Sequence, residues 1–205
     1  MELRTVEVRW FLAGRCPGAI AGWFTSGPIV GEPEHRIDEY LVIPDRDDLG
    51  VKRRAGIQLD LKLRTARRTD VVLADGFDGR TEAWTKWSFP LAPESTVPGD
   101  GSWVPVEKRR WSRLYASTGG DTVSPVLPGT IPTNGCAVEL VEVAIGGRDS
   151  WGFGLEAFGA GDLGRVLTAT CRALEADTPL GDITFSVPDS HSYPSWLLRE
   201  RAGAG

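Results

Sequence analysis

The stretch "IQLDLKLR" (57–64) decides how this chain is read. Its apolar residues, Ile57, Leu59, Leu61 and Leu63, alternate with Gln58, Asp60, Lys62 and Arg64. A period of two is the signature of a β-strand with one apolar face and one charged face. What matters is where the charged face points. Toward water it is an ordinary solvated face, and toward an enclosed space it is a site.

The pattern recurs along the chain. "LRTVEVRWF" (3–11), "RIDEYLVI" (36–43), "LGVKRR" (49–54), "RTEAWTKWSF" (80–89), "WVPVEKRRWSRLY" (103–115), "CAVELVEVAIG" (136–146) and "SWGFGLEAFG" (150–159) all read as strands, giving eight with 57–64. Pro44-Asp45, Ala55-Gly56 and Gly146-Gly147 supply turns between them. Three segments read as helices. "CPGAIAGWFTSGP" (16–28) carries Pro17 at its start. "DLGRVLTATCRALEAD" (162–177) has a stripe of Leu163, Val166, Leu167, Thr170, Cys171 and Leu174 behind Asp162 as N-cap. "SYPSWLLRE" (192–200) has Pro194 in its first turn and Ser192 at its cap. "PESTVPGDGS" (93–102) and "STGGDTVSPVLPGTIPTNG" (117–135) read as loops, the second long enough to be a lid or an ordered crossing.

Strand does not alternate with helix in the rhythm of a parallel sheet. The expected class is α+β: an eight-stranded antiparallel sheet closed or nearly closed into a barrel, with helices outside, and residues 1–205 forming one domain. The formal net charge of -5 argues against broad binding to nucleic acid or an anionic membrane. Cys16, Cys136 and Cys171 form no paired motif and read as reduced thiols. No window reaches the ~20 apolar residues of a membrane span. Together these point to a soluble cytoplasmic protein. Two histidines give no metal cluster and no Ser-His-Asp constellation. Eight tryptophans point to large buried area, with Trp84, Trp87, Trp103 and Trp151 as candidates to stack on a ring-bearing ligand.

The charges repeat strand after strand. Glu7 shares a face with Arg9, Lys52 with Arg54, Asp60 with Lys62 and Arg64, and Lys108 with Arg110. Glu139 and Glu156 lie on the last two strands. Basic residues spaced i, i+2 on neighbouring strands would repel one another on an open face. A polyanion relieves that repulsion. Phosphate suits it, because lysine binds phosphate as a point charge and arginine as a fork. Carboxylates in the same space would suit Mg²⁺ or Mn²⁺, which take oxygen ligands and bridge phosphates.

With these residues in view, the sequence resembles the CYTH superfamily, the triphosphate tunnel metalloenzymes. The resemblance rests on "DEYL" (38–41), "VKRR" followed by "LDLK", "VEKRR" (106–110), "VEL" (138–140), "GLEA" (154–157) and "SYPSWLL", which span nearly the whole chain in the family's order. It implies an eight-stranded tunnel with charged side chains pointing inward, so that Ile57, Leu59, Leu61 and Leu63 would lie outside, under the helices. It implies phosphate contacts from Arg9, Lys52, Arg54, Lys62, Lys108 and Arg110, with Arg53 and Arg109 outward. It implies Mg²⁺ or Mn²⁺ held by Glu7, Glu139 and Glu156, and metal-dependent hydrolysis of inorganic or organic triphosphate, with Lys62, Arg54 and Glu156 at its centre. The alternative is a module that binds a phosphorylated ligand without efficient hydrolysis. The departures are specific. The family opens with Glu-x-Glu-x-Lys, and here the run is Thr5-x-Glu7-x-Arg9. Its late Glu-x-Glu pair is here Gly154-x-Glu156. Two carboxylates are missing, and Glu34, Asp38 and Glu142 are the residues that could replace them. Asp60 either orients Lys62 or adds to the carboxylate count.

Overall fold

The computed structural model describes residues 2–27, 30–92, 103–119, 121–177 and 184–203. The loop expected at 93–102 lies outside them. Among the described residues there are ten strands: β1 (Glu2–Ala13), β2 (Glu34–Leu41), β3 (Leu49–Arg54), β4 (Gln58–Arg64), β5 (Thr69–Val72), β6 (Asp78–Pro90), β7 (Trp103–Gly119), β8 (Thr122–Pro125), β9 (Gly135–Ile145) and β10 (Arg148–Phe158). The helices are α1 (Gly18–Ser26), α2 (Leu163–Asp177) and α3 (Tyr193–Ala202). None of them is long and apolar enough to cross a membrane.

Eight strands close a barrel in the order β1-β10-β9-β7-β2-β3-β4-β6, because β1 pairs with β10 on one side and β6 on the other. Every pairing is antiparallel. Tight turns make this possible. Gly146-Gly147 has φ values of 56° and 79°, the left-handed pair that matches the twist of a two-residue hairpin, and Ala55-Gly56, with φ values of 46° and 72°, opens the three-residue turn between Arg54 and Gln58. The two remaining strands are short additions. β5 extends the start of β6, and β8 folds back onto the end of β7. The segment 117–135 is therefore not one long loop: β7 runs on to Gly119, and β8 returns along it.

The usual distribution of a small barrel is reversed. The larger apolar core lies outside the wall, between the outer faces of β1, β7, β9 and β10 and the helices α1 and α2. Phe153 sits at its centre, ringed by Trp10, Trp23, Phe24, Phe77 and Phe185. The predicted stripe of α2 is buried there, and Asp162 caps the helix through the Arg165 backbone N–H. Trp151 belongs to this outer core. A second, smaller cluster closes one end of the barrel from within. Phe11 and Tyr40 stack on Trp196 and Tyr193 of α3. Ser192 is at the N-cap of α3, but its hydroxyl makes no capping bond. Its carbonyl accepts the Trp196 N–H instead.

The outer face of β4 is not under a helix. Ile57 is 68% exposed and its neighbours Leu59, Leu61 and Leu63 are half-buried. The helices cover only one side of the barrel, because the large aromatic side chains that hold them come from β1 and β10 and from α1 itself.

Candidate functional site: a charged tunnel

The inward positions of the eight barrel strands converge on a cavity of about 100 Å³. Arg9, Lys52, Arg54, Lys62, Lys108 and Arg110, the six cations nominated by the sequence, all line it. Arg36 and Lys86 join them, two positions the sequence reading did not nominate. Both have the parity of an inward position: Arg36 is two residues before Asp38 on β2, and Lys86 follows Glu82 and Trp84 on one face of β6. Against these eight stand four lining carboxylates, Glu7, Asp60, Glu139 and Glu156, and two more beside the lining, Asp38 and Glu34, that pair with Arg36, Lys52, Lys108 and Arg110, which leaves a formal excess of two positive charges. Arg53 and Arg109 do not line the cavity. Arg53 pairs with Glu39, and Arg109 with Glu142 on the outer wall.

The carboxylates are shared out among these cations. Lys62 Nζ donates to Glu7 Oε2 and to Glu156 Oε1, at 2.9 Å each. Glu139 accepts from Arg9 at 2.5 Å and from Arg110 at 3.1 Å. Asp60 takes Ser88 at 2.6 Å, Gln58 at 2.5 Å and Arg54 at 3.0 Å. Lys52 and Lys86 stand slightly farther off, at 3.8 and 3.6 Å. Asp38, fully buried below the cavity floor, faces Arg36, Lys108 and Lys52 at 3.1, 3.2 and 3.6 Å. Of the three candidate replacement carboxylates, Asp38 points in, Glu34 lies at Arg36 and Arg110, and Glu142 is outside.

The electrostatics follow from burial and crowding. Burial alone would raise the Glu156 carboxyl, but Lys62 and Lys86 hold it below the usual carboxylate range. Glu139 and Asp60 are likewise held below the usual carboxylate range against their own burial, Glu139 by Arg9 and Arg110, Asp60 by Ser88 and Lys52. The lysines divide. Lys62 rises despite burial, because Glu156 and Glu7 both face it. Lys108 is pushed by burial down to about 7, even with Asp38 and Glu139 pulling the other way. Burial also pushes Lys52 well below its ordinary value, with Lys108 and Arg54 adding to the effect. For Lys108 and Lys52 the cost of burial therefore outweighs the carboxylates that face them. Several donors on the lining also lack a hydrogen-bond acceptor: Arg9 Nε, Trp84 Nε1 and Tyr193 Oη. Buried donors without acceptors are rare in native proteins, and each one calls for an explanation.

No protein-family model and no curated protein sequence matches this chain.

The nominated metal ligands are each engaged by protein cations. Glu7 and Glu156 converge, but on an ammonium, while Glu139 is turned to Arg9 and Arg110. Among the described residues, no three His, Cys, Asp or Glu side chains lie together in a way that would hold a cation. Magnesium asks for near-octahedral oxygen coordination, and manganese suits the same oxygen ligands. Two carboxylates already sharing Lys62 do not offer that. Gly154 explains part of the departure. It lies across β1 from Arg9, and a Cβ there would come within 2.9 Å of Arg9 Cζ. The space that a late carboxylate would enter is filled by the guanidinium of Arg9.

One carboxylate escaped the sequence reading. Glu82 on β6 sits directly opposite Glu7, which in turn sits opposite Glu156, so three glutamates form a row across β6, β1 and β10. Glu82 is tied to Arg68 and Arg64 at the side of the tunnel. Of the four tryptophans considered for stacking, only Trp84 lines the cavity.

Proposed function

We propose that the tunnel is a receptor for a compact oligophosphate, with inorganic triphosphate as the preferred ligand. The observation that carries this reading is the excess of positive charge around an enclosed cavity, together with donors that have no acceptor. Lysines driven below their ordinary pKa by burial regain their charge when an anion with several oxygens enters. The arginines supply forked donors for the same oxygens. The cavity is well below the roughly 300–1,000 Å³ of a usual small-molecule pocket. That favours a chain of phosphates over a nucleotide held whole, and an organic triphosphate would leave its organic part outside.

Isothermal calorimetry with tripolyphosphate, pyrophosphate and ATP at low salt tests it. Tight one-to-one binding of tripolyphosphate, weakened sharply by Lys52→Ala or Arg54→Ala, supports the reading. Absence of binding by all three anions, at an ionic strength where surface screening is weak, overturns it.

Hydrolysis is the second reading. It is favoured by the row Glu82, Glu7 and Glu156 and by the cations beside it. Phosphoryl transfer needs mainly placement and offset of developing charge. Lys62 and Arg54 would supply the charge, and Glu156 would orient a water. Phosphate release from tripolyphosphate and thiamine triphosphate, with Mg²⁺, with Mn²⁺ and with neither, separates an enzyme from a binding module.

A further inference from the structure

Lys62 occupies the point where the two converging carboxylates of the tunnel meet. Its ammonium has three donors. Two go to Glu7 and Glu156 at 2.9 Å, and the third remains for a ligand oxygen. We infer that Lys62 is the built-in cation of this tunnel: it holds Glu7 and Glu156 as a divalent ion would, so the tunnel captures its oligophosphate without metal. The inference rests on the oligophosphate reading above, and it adds a property of the site that this reading leaves open.

Three further observations carry it. Glu139, Asp60 and Asp38 already face protein cations, and Glu82, opposite Glu7, is held through one oxygen by Arg68 and Arg64, so a metal gains a third ligand from the first three only by breaking an ion pair and from Glu82 only through its other oxygen. Lys86 is the direct cross-strand neighbour of Lys62 on β6, and like charges directly opposite are unfavourable, so the hold of Glu7 and Glu156 on Lys62 also offsets that repulsion. Finally, Arg9 fills the space beside Gly154. A guanidinium therefore stands where a further carboxylate side chain would have to go. Each of these features exchanges an anionic ligand, or a metal, for a fixed positive charge. Without such charges Glu7 and Glu156 would repel an incoming phosphate.

The experiment uses the full chain. Tripolyphosphate is titrated calorimetrically with EDTA present, and again with Mg²⁺ in excess. Separately, Mn²⁺ is titrated into the protein without anion and the free ion is followed by electron paramagnetic resonance. For the wild type, EDTA is expected to change the affinity by less than about tenfold, the effect of a single strong contact, and Mn²⁺ is expected to stay free. Lys62→Met keeps most of the side-chain length and removes the charge. It is expected to lose at least about tenfold in metal-free affinity and to gain binding of Mn²⁺ at the released carboxylates. Tripolyphosphate binding that EDTA abolishes, or stoichiometric Mn²⁺ binding by the wild type, overturns the inference and leaves the oligophosphate reading standing. No tripolyphosphate binding with or without metal overturns the oligophosphate reading itself. The Mn²⁺ titration of the wild type stands without the variant, so the role of Lys62 is decided even if Lys62→Met fails to fold.

Discussion

The guanidinium of Arg9 fills the space above Gly154: a Cβ at that glycine would sit 2.9 Å from Arg9 Cζ, 3.1 Å from its Nη1 and 3.2 Å from its Nη2. Arg9 is not free to swing away. It is buried and bonded to Glu139 at 2.5 Å, with the Tyr193 ring 5.0 Å from its Cζ. Gly154→Ala therefore forces either a shifted strand or a broken ion pair. Overpacking of this kind costs about 1–3 kcal/mol. The expected result is a lower midpoint in thermal unfolding. In Arg9→Lys the slimmer ammonium leaves room for a methyl group, so the same Gly154→Ala change should cost less in that background. Equal losses in both backgrounds would contradict the contact.

Asp60 is the best-connected carboxylate of the tunnel, with Ser88, Gln58 and Arg54 bonded to it and Lys52 and Lys86 nearby. It is fully buried. Asp60→Asn keeps the shape and removes the charge, leaving two or three cations without their counter-ion. Breaking a buried pair in this way costs about 3–5 kcal/mol. The half-buried Gln58→Ala is expected to cost much less. Denaturant unfolding of the two variants measures the difference, and similar midpoints would mean that Asp60 is a solvated residue after all.

The barrel was legible in the sequence because alternation is local information. Each of the eight strands carries its own period of two, and the turn residues at 55–56 and 146–147 mark the hairpins. The inward set of cations followed from the same alternation once one face was known to be charged. What the sequence did not disclose depends on the partners of each residue across strands. Arg36 and Lys86 have the correct parity, but nothing local distinguishes them from a solvated charge. The pairing of Lys62 with both Glu7 and Glu156 needs β1 to lie beside β10 and near β4, contacts between residues 55 and 94 positions apart. β5 and β8, at four residues each, are too short for a period to register. The coverage of the wall also escaped, because an apolar strand face looks the same under a helix, as with Leu155, as it does half-open, as with Leu61.

Lys108 makes binding and stability depend on pH in opposite ways. It lies among Asp38, Arg36 and Tyr40 from β2, Glu139 from β9, Lys52 from β3 and the Tyr193 ring from α3. Its folded pKa is about 7, against 10.5 for an ordinary lysine. Between those values the unfolded chain holds more protons than the folded one, so this residue's contribution to stability rises from pH 7 toward pH 10.5. Below pH 7 both states are protonated, and the contribution stays at its minimum. An anion in the tunnel favours the charged form, so binding takes up a proton. Tripolyphosphate affinity is therefore expected to fall as pH rises through the range from 7 to 9, and calorimetry in buffers of different ionisation enthalpy should report proton uptake near pH 8. Lys108→Met should remove most of that uptake. Uptake that persists undiminished in the variant would assign it to another group, Lys52 first.

The outer core has its own buried charge. Arg113 on β7 is 2% exposed, and its Nη2 donates to the carbonyls of Trp23 and Phe24 in the last turn of α1. The guanidinium also lies over the Phe24 ring at 4.7 Å. A helix leaves its final carbonyls without internal partners, and a cation there also complements the negative end of the helix. Arg113 thus ties α1 to the barrel wall. Arg113→Ala removes the donor and opens a cavity, with an expected cost of about 3 kcal/mol. Arg113→Met refills most of the volume without restoring the bonds, so its cost should be smaller but should not vanish. Hydrogen exchange separates the two effects: both variants should lose protection in α1, while the amides of β3 and β4, on the far side of the barrel, keep theirs. Loss spread evenly over the whole barrel would mean that Arg113 supports the core as a whole and not the docking of one helix.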